Sequence, residues 1–250
     1  MTLFGYRVPM IASLIVWCAV WELVGRSGAT FLIPPLSDVV VAAVALVQTG
    51  TWQAAALTTL NSFLLGMFFA IVAGIVIGVL MGRFAAVDNL LGIWVNIFVS
   101  APLSALVPVL MILFGMGETT VVVTVFLFAV WIIVLDTRAG IQGVPPSLIE
   151  MGRSYGASRF ALYFKIILLA ALPEILAGIR LGVVRGVKGV VIGQLLVSII
   201  GYGELFELYS RNFDMDNFWA LTIILFAAAM GLSAVIESIE KRVDYYAGVR

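Results

Sequence analysis

The sequence predicts an all-α integral membrane protein with about six transmembrane helices. Hydrophobic residues make up 63% of the 250 residues and charged residues only 11%, against roughly 25% charge in a soluble domain. So little charge cannot cover a water-facing surface, whereas a lipid-facing one needs almost none. The mean hydropathy of +1.16 agrees. Apolar runs near the ~20 residues that a span requires recur at about 9–25, 58–82, 90–114, 119–137, 172–200 and 218–238. The chain, 1–250, reads as a single transmembrane domain.

The apolar stretch from Val8 to Trp21 is followed by Glu22 without a small-residue cleavage site, so a retained span is expected rather than a signal peptide. Pro34-Pro35 and Ser37 open a shorter stretch, about 36–48, expected as an interfacial helix. The second and fifth runs carry glycine at every fourth position: Gly74, Gly78 and Gly82, then Gly178, Gly182 and Gly186, followed by Gly189 and Gly193. Small residues at this spacing let helix backbones approach closely in lipid. The pattern fits packing within one subunit, and also a subunit interface or a pore lining. Pro102 and Pro108 fall in the third run. Each removes a helical hydrogen bond, so a kink or re-entrant turn is expected. Phe114-Gly115-Met116-Gly117-Glu118 predicts a tight outer turn.

Orientation follows the Lys/Arg bias. With the N-terminus cytoplasmic, Arg7, Arg83, Arg138, Arg153, Arg159, Lys165, Lys241, Arg242 and Arg250 lie inside, against Arg26 and Arg211 outside. Both termini are therefore expected in the cytoplasm.

Several function classes are excluded. Formal net charge is zero, so there is no nucleic-acid footprint. With no His and a single Cys, Cys18, neither a disulfide framework nor a Cys/His zinc site nor a His-based triad can form. Cys18 reads as a small apolar packing residue. No G-x-x-x-x-G-K-[ST] pattern occurs. Gly182–Gly189 contains Lys188 but lies in an apolar run, so it is no phosphate loop. No catalytic, metal or cofactor site is expected on this chain.

The long polar inward loop runs from Asp136 to about Lys165. Pro145-Pro146 precedes Ser147-Leu148-Ile149-Glu150, a capping-box pattern, so a short helix is expected from Ser147 to Gly156, with the glycine as its C-terminal cap. Ser158 is placed to cap a second helix through Phe160, Phe164 and Ile167. Leu148, Ile149 and Tyr155 would be available to a partner groove, with Glu150 and Arg153 at its rim. Such a capped helix has the form of a docking element, and equally that of a structural elbow.

Glu150-Met151-Gly152-Arg153-Ser154-Tyr155-Gly156-Ala157-Ser158, with the apolar stretch from Ile166 to Leu172-Pro173, resembles the EAA loop of binding-protein-dependent ABC importer permeases. Phe31–Val39, Pro102 to Pro108, Phe114–Glu118 and Leu172–Arg180 resemble the nitrate/sulfonate/taurine branch of that family, in order along nearly the whole chain. The resemblance implies a type I ABC importer permease fold in the bacterial inner membrane. Ser147, Leu148, Glu150, Gly152, Tyr155 and Gly156 would form the coupling helix that seats in a cytoplasmic ATPase. It also implies a second permease (a homodimer), two ATPase subunits that bind ATP and Mg, and an external solute-binding protein. Five positions depart from the pattern: Met151 and Gly152 replace two alanines, Leu169 a proline, Gln194 a glutamate, and Lys188 is an unusual cation.

Ionisable residues inside a span are functional candidates. Arg185 and Lys188 lie mid-run and share a helix face. With Gln194 and Pro108 they are the candidates for the translocation pathway, and deep cations suit an anionic solute such as a sulfonate or nitrate. A secondary transporter would want intramembrane acids, yet Glu22, Asp88, Asp136 and Glu174 all sit at span ends. A membrane-embedded enzyme would need clustered acids, His or a metal motif near one face, and none is present.

Overall fold

A computed structural model describes residues 2–3, 6–7, 10–197 and 199–246, and the chain is helical nearly throughout. Apart from Thr2–Leu3 paired with Tyr6–Arg7, the elements are α1 (Met10–Arg26), α2 (Leu36–Val47), α3 (Gly50–Arg83), α4 (Ala85–Ser100), a 3-10 turn (Leu103–Leu106), α5 (Val107–Phe114), α6 (Glu118–Gln142), α7 (Pro146–Ser154), α8 (Arg159–Leu162), a π-helical turn (Tyr163–Ile167), α9 (Leu168–Ala170), α10 (Leu172–Val197), α11 (Gly201–Arg211) and α12 (Met215–Tyr246).

By length and composition α3, α6 and Met215–Leu232 of α12 are fit to cross a membrane. Two bent pairs, α4 with α5 at 95° and α8–α9 with α10 at 56°, bring the number to five. The remaining expected span, 9–25, is α1; its 17 residues stand at the short end of the range of about 17–25. Cys18 on α1, expected as a packing residue, is exposed and lines the cleft between α1 and α2.

The core is a sandwich of α3, α6 and α10, and glycine makes it. A Cβ built on Gly66, Gly74, Gly78 or Gly82 would lie 2.6–2.7 Å from side-chain atoms of Val125, Ile133, Thr137 and Ile141 respectively. Each partner stands 59 positions beyond its glycine, so α3 and α6 run parallel and in constant register. From the other side, Gly178, Gly182 and Gly189 abut Asp136, Ile133 and Phe128. These partner numbers fall as the α10 numbers rise, so α10 is antiparallel to α6. Of the readings left open for the glycine stripes, close packing within one subunit is the one observed.

Buried hydroxyls along these helices close on their own backbone: Thr59 donates to Ala55 O at 2.8 Å, Ser62 to Thr58 O at 2.9 Å and Thr124 to Thr120 O at 2.7 Å. Such local bonds remove the cost of a polar group that has no water to turn to. The large apolar side chains mostly face outward instead, among them Leu64, Phe68, Val72 and Val76 on α3 and Ile112 on α5.

The break in the third run lies at Pro102, not at both prolines. Ala101 is extended (φ −68°, ψ 146°), as a residue before proline prefers, and α4 ends there. Pro108 occupies the first turn of α5, where a helix spends no amide hydrogen bond on it. The expected outer turn is present: Gly115 is left-handed (φ 81°) and Gly117 is the N-cap of α6. Glu118 then accepts from Asn61 at 2.7 Å, tying the turn to α3.

The expected interfacial helix is α2. Its N-terminus is closed by another segment, because Glu22 of α1 accepts from the Ser37 amide (3.0 Å) and hydroxyl (3.1 Å). The helix packs with α11, α12 and the start of α3 around Val39, Leu46, Tyr202, Phe206 and Leu221. Trp21 and Trp219 meet edge to face at 5.2 Å and donate to Pro34 O and Leu32 O.

Candidate functional site

The site begins with two prolines. Pro145 (φ −56°, ψ 131°) is the N-cap of α7 and Pro146 its first residue, where proline's fixed φ suits a helix start. Ser147 is therefore already inside the helix, and the expected capping box does not form: no side-chain hydrogen bond caps α7. The helix starts one residue earlier than predicted because proline, rather than serine, sets its first turn.

At the other end the glycine expectation holds. Gly156 is left-handed (φ 75°); its amide donates to Arg153 O at 2.9 Å and the Ala157 amide to Gly152 O at 3.0 Å. This bond pair is a Schellman cap, which needs a residue able to take positive φ. A Cβ on Gly156 would meet nothing within 4 Å, so the requirement for glycine is conformational. The chain then turns at Ser158, whose hydroxyl accepts from the Ala161 amide at 3.2 Å, as predicted. It returns through the π-helical turn to α10.

The face α7 presents differs in part from the expected one. Tyr155 is 87% exposed and Met151 48%, with Ser147, Glu150 and Arg153 also exposed. Leu148 is half-buried, and Ile149 packs into the chain's own core with Ile141, Val144, Ile167 and Ile175. Ile149 therefore anchors the helix rather than offering itself to a partner. Gly152 is buried; a Cβ there would lie 2.4 Å from Ile166 Cδ1 and 2.8 Å from Leu162 Cδ1. It is the point at which α7 rests on the following helix, and it touches no outside groove. Phe160 (71% exposed) and Phe164 (51%), with rings 4.4 Å apart, extend the apolar outward face beyond α7. Their spacing of four residues was the available sequence signal.

Beneath this loop, Arg138 of α6 reaches Asp88 of α4 through Nε to Oδ1 at 2.6 Å and Nη2 to Oδ2 at 2.7 Å. This two-pronged pair fixes α4 against the end of α6. Sequence reasoning did not connect the two residues, 50 positions apart.

The four pathway candidates do not share one surface. Lys188 is exposed in a groove of about 440 Å³ lined by Val184, Val191, Phe206, Leu225 and Phe226. Arg185 is half-buried and within electrostatic reach of Asp136. Pro108 is exposed on α5. Gln194 is 1% exposed: its side-chain amide lies 3.0 Å from Thr59 Oγ1, which also accepts from the Tyr202 amide at 3.3 Å. Gly201 and Gly203 crowd against Gln194 so closely that a Cβ on either would overlap it. Gln194 thus holds α3, α10 and α11 together from within. Among the described residues no three His, Cys, Asp or Glu side chains are grouped to hold a metal.

This geometry has relatives. Over 188 residues the chain is 30% identical to the taurine transport system permease protein TauC of Escherichia coli (strain K12), covering 74% of this chain and 68% of that one. Over 174 residues it is 29% identical to the glycine betaine/carnitine/choline transport system permease protein OpuCD of Bacillus subtilis (strain 168), covering 70% and 74%. A structure of the MetNI methionine ABC transporter in an inward-facing conformation contains a chain of the same fold, with TM-score 0.65 and 21% identity over 77% of this chain and 96% of that one. Residues 70–245, which include the glycine-packed core and the whole of the α7 loop, match the model of the binding-protein-dependent transport system inner membrane component, and the chain belongs to that family of ABC transporter permeases.

Proposed function

We propose that two copies of this chain pair in the bacterial inner membrane to form the pathway of an ATP-driven importer, and that α7 is the element through which a cytoplasmic ATPase moves them. The carrying observation is the form of α7. Its inner face is seated by Ile149 and Gly152, its end is fixed by the Gly156 cap, and Tyr155 and Met151 are left standing outward. A helix so held transmits force without rotating on its base. ATP and Mg belong to the ATPase subunits, and an external solute-binding protein delivers the substrate. The excess of Lys and Arg on the α7 side supports both termini lying in the cytoplasm.

The solute is a small anion of the sulfonate class. Similarity to a taurine permease and the exposed Lys188 in its apolar groove support this, because a cation in such surroundings favours a negatively charged visitor.

Gly156→Val tests the coupling role. A β-branched residue is a genuine outlier at positive φ, so the cap should open while the membrane core stays intact. Recovery of the ATPase with the tagged permease should fall several-fold, with membrane insertion unchanged. Undiminished recovery would remove this loop from the coupling role.

A further inference from the structure

Between α7, the start of α8 and the ends of α3 and α6 lies a cavity of about 630 Å³. Its apolar wall includes Ile141 and Ile167, which continue into the buried core beneath the loop. Its polar lining is Arg83 from the end of α3, Arg153 from α7, Arg159 from α8 and Tyr163 from the π-helical turn. No acid lines it. Among the described residues none of the three guanidiniums takes part in an ion pair.

Arg83 is held over the Tyr163 ring at 5.6 Å and the Phe84 ring at 5.4 Å. That contact fixes the guanidinium plane by cation–π attraction and leaves its N–H groups unclaimed. The Tyr163 hydroxyl is buried and has no hydrogen-bond partner. A buried donor without an acceptor is costly, and the three guanidiniums, all exposed, give the cavity a basic mouth that raises the local concentration of anions. The volume falls within the ~300–1,000 Å³ typical of small-molecule sites.

We infer that this cavity binds a phosphate-bearing anion, gripped by Arg83, Arg153, Arg159 and the Tyr163 hydroxyl, between the coupling loop and the membrane helices. Guanidinium forks match phosphate oxygens in geometry as well as charge. Basic pockets between membrane helices at the aqueous boundary suit lipid headgroups, and the apolar wall would continue beneath an acyl chain. An anion here would brace the elbow on which α7 rests. The inference needs the membrane setting but not the solute or the ATPase, so its failure leaves the Gly156 result untouched.

The test uses the full-length chain in nanodiscs. One set is made of phosphatidylcholine alone, one contains phosphatidylglycerol, and a third is phosphatidylcholine with soluble glycerol phosphate or inorganic phosphate added. Thermal stability should rise in a concentration-dependent way with phosphatidylglycerol, with the soluble phosphates, or with both, and the arm that responds identifies the source. The pair Arg83→Gln and Arg159→Gln should weaken the effect by about 30-fold, the equivalent of two cationic contacts. The pair Arg83→Lys and Arg159→Lys should retain most of it. If the glutamine pair is unstable even in phosphatidylcholine, the lysine pair decides. No stabilisation in any arm, or stabilisation undiminished by the glutamine pair, overturns the inference.

Discussion

Single atoms decide the packing of this protein. At Gly78 a methyl group would sit 2.6 Å from Thr137 Cβ and 2.8 Å from the Val134 carbonyl oxygen, and backbone cannot step aside as a side-chain tip can. Gly78→Ala should therefore cost about 1–3 kcal/mol, the usual penalty of overpacking. Gly231 in α12 has nothing within 4 Å, and its replacement by alanine should be neutral or gain up to about 1 kcal/mol of helix propensity. Thermal denaturation of both variants in detergent checks the contrast, and equal stability would mean that α3 and α6 do not meet in this register. Gly152 belongs to the other kind of position. Its neighbours are the ends of Ile166 and Leu162, which can turn, so the alanine of the family pattern is accommodated with little strain. Packing therefore does not explain why glycine stands here in place of that alanine.

Proline has opposite meanings at two neighbouring sites of the bent α4–α5 pair. Pro102 ends a helix by forcing its predecessor into extended backbone, whereas Pro108 sits where no amide bond is lost. Pro108→Ala should thus change stability by less than about 0.5 kcal/mol, the range of an ordinary surface substitution. A melting temperature lower by more than a few degrees would show that the ring itself packs against something. The identities of the membrane helices were legible in the sequence because apolar length alone announces them. The break at Pro102, the outer turn at Gly115 and the cap at Gly156 were legible because each rests on a residue with restricted or unusual φ. The capping box at Ser147 was misread because two prolines compete for the same turn, and sequence does not say which residue will be the N-cap. Ile149 was assigned to the outer face because an amphipathic pattern has two sides, and only the return of the chain over α7 shows which is covered; Gly152, placed in the coupling helix by resemblance alone, lies on that covered side against Leu162 and Ile166.

At the scale of the molecule, the two mid-span cations separate into different roles. Arg185 is half-buried and within electrostatic reach of Asp136 on the neighbouring helix, with no ion pair joining the two, so Arg185→Gln should modestly lower stability and subunit recovery, as substitutions at partly buried positions commonly do. Lys188 lies open in its groove, so Lys188→Met should leave assembly intact and reduce solute uptake several-fold. Uptake into vesicles holding the assembled importer, read beside subunit recovery, distinguishes the two; normal uptake by the Lys188 variant would remove it from the pathway. The burial of Gln194 was not legible in the sequence, because being covered by α11 depends on how Gly201 and Gly203 bring that helix back over α10. The Asp88–Arg138 pair was invisible for the same reason: a contact between α4 and α6 exists only once both are packed.

The parallel course of α3 and α6 also bears on how the protein is made. Helices that follow one another directly across a membrane run antiparallel, so these two cannot pair as they emerge; the α4–α5 pair must be threaded first. Every glycine of the α3 stripe waits for a partner 59 residues later in the chain, which at roughly 5–20 residues per second is a delay of about 3–12 s. Throughout that interval the face destined to be the tightest seam in the protein has only lipid against it. A chain interrupted before Val125 therefore has all its early spans and none of its core.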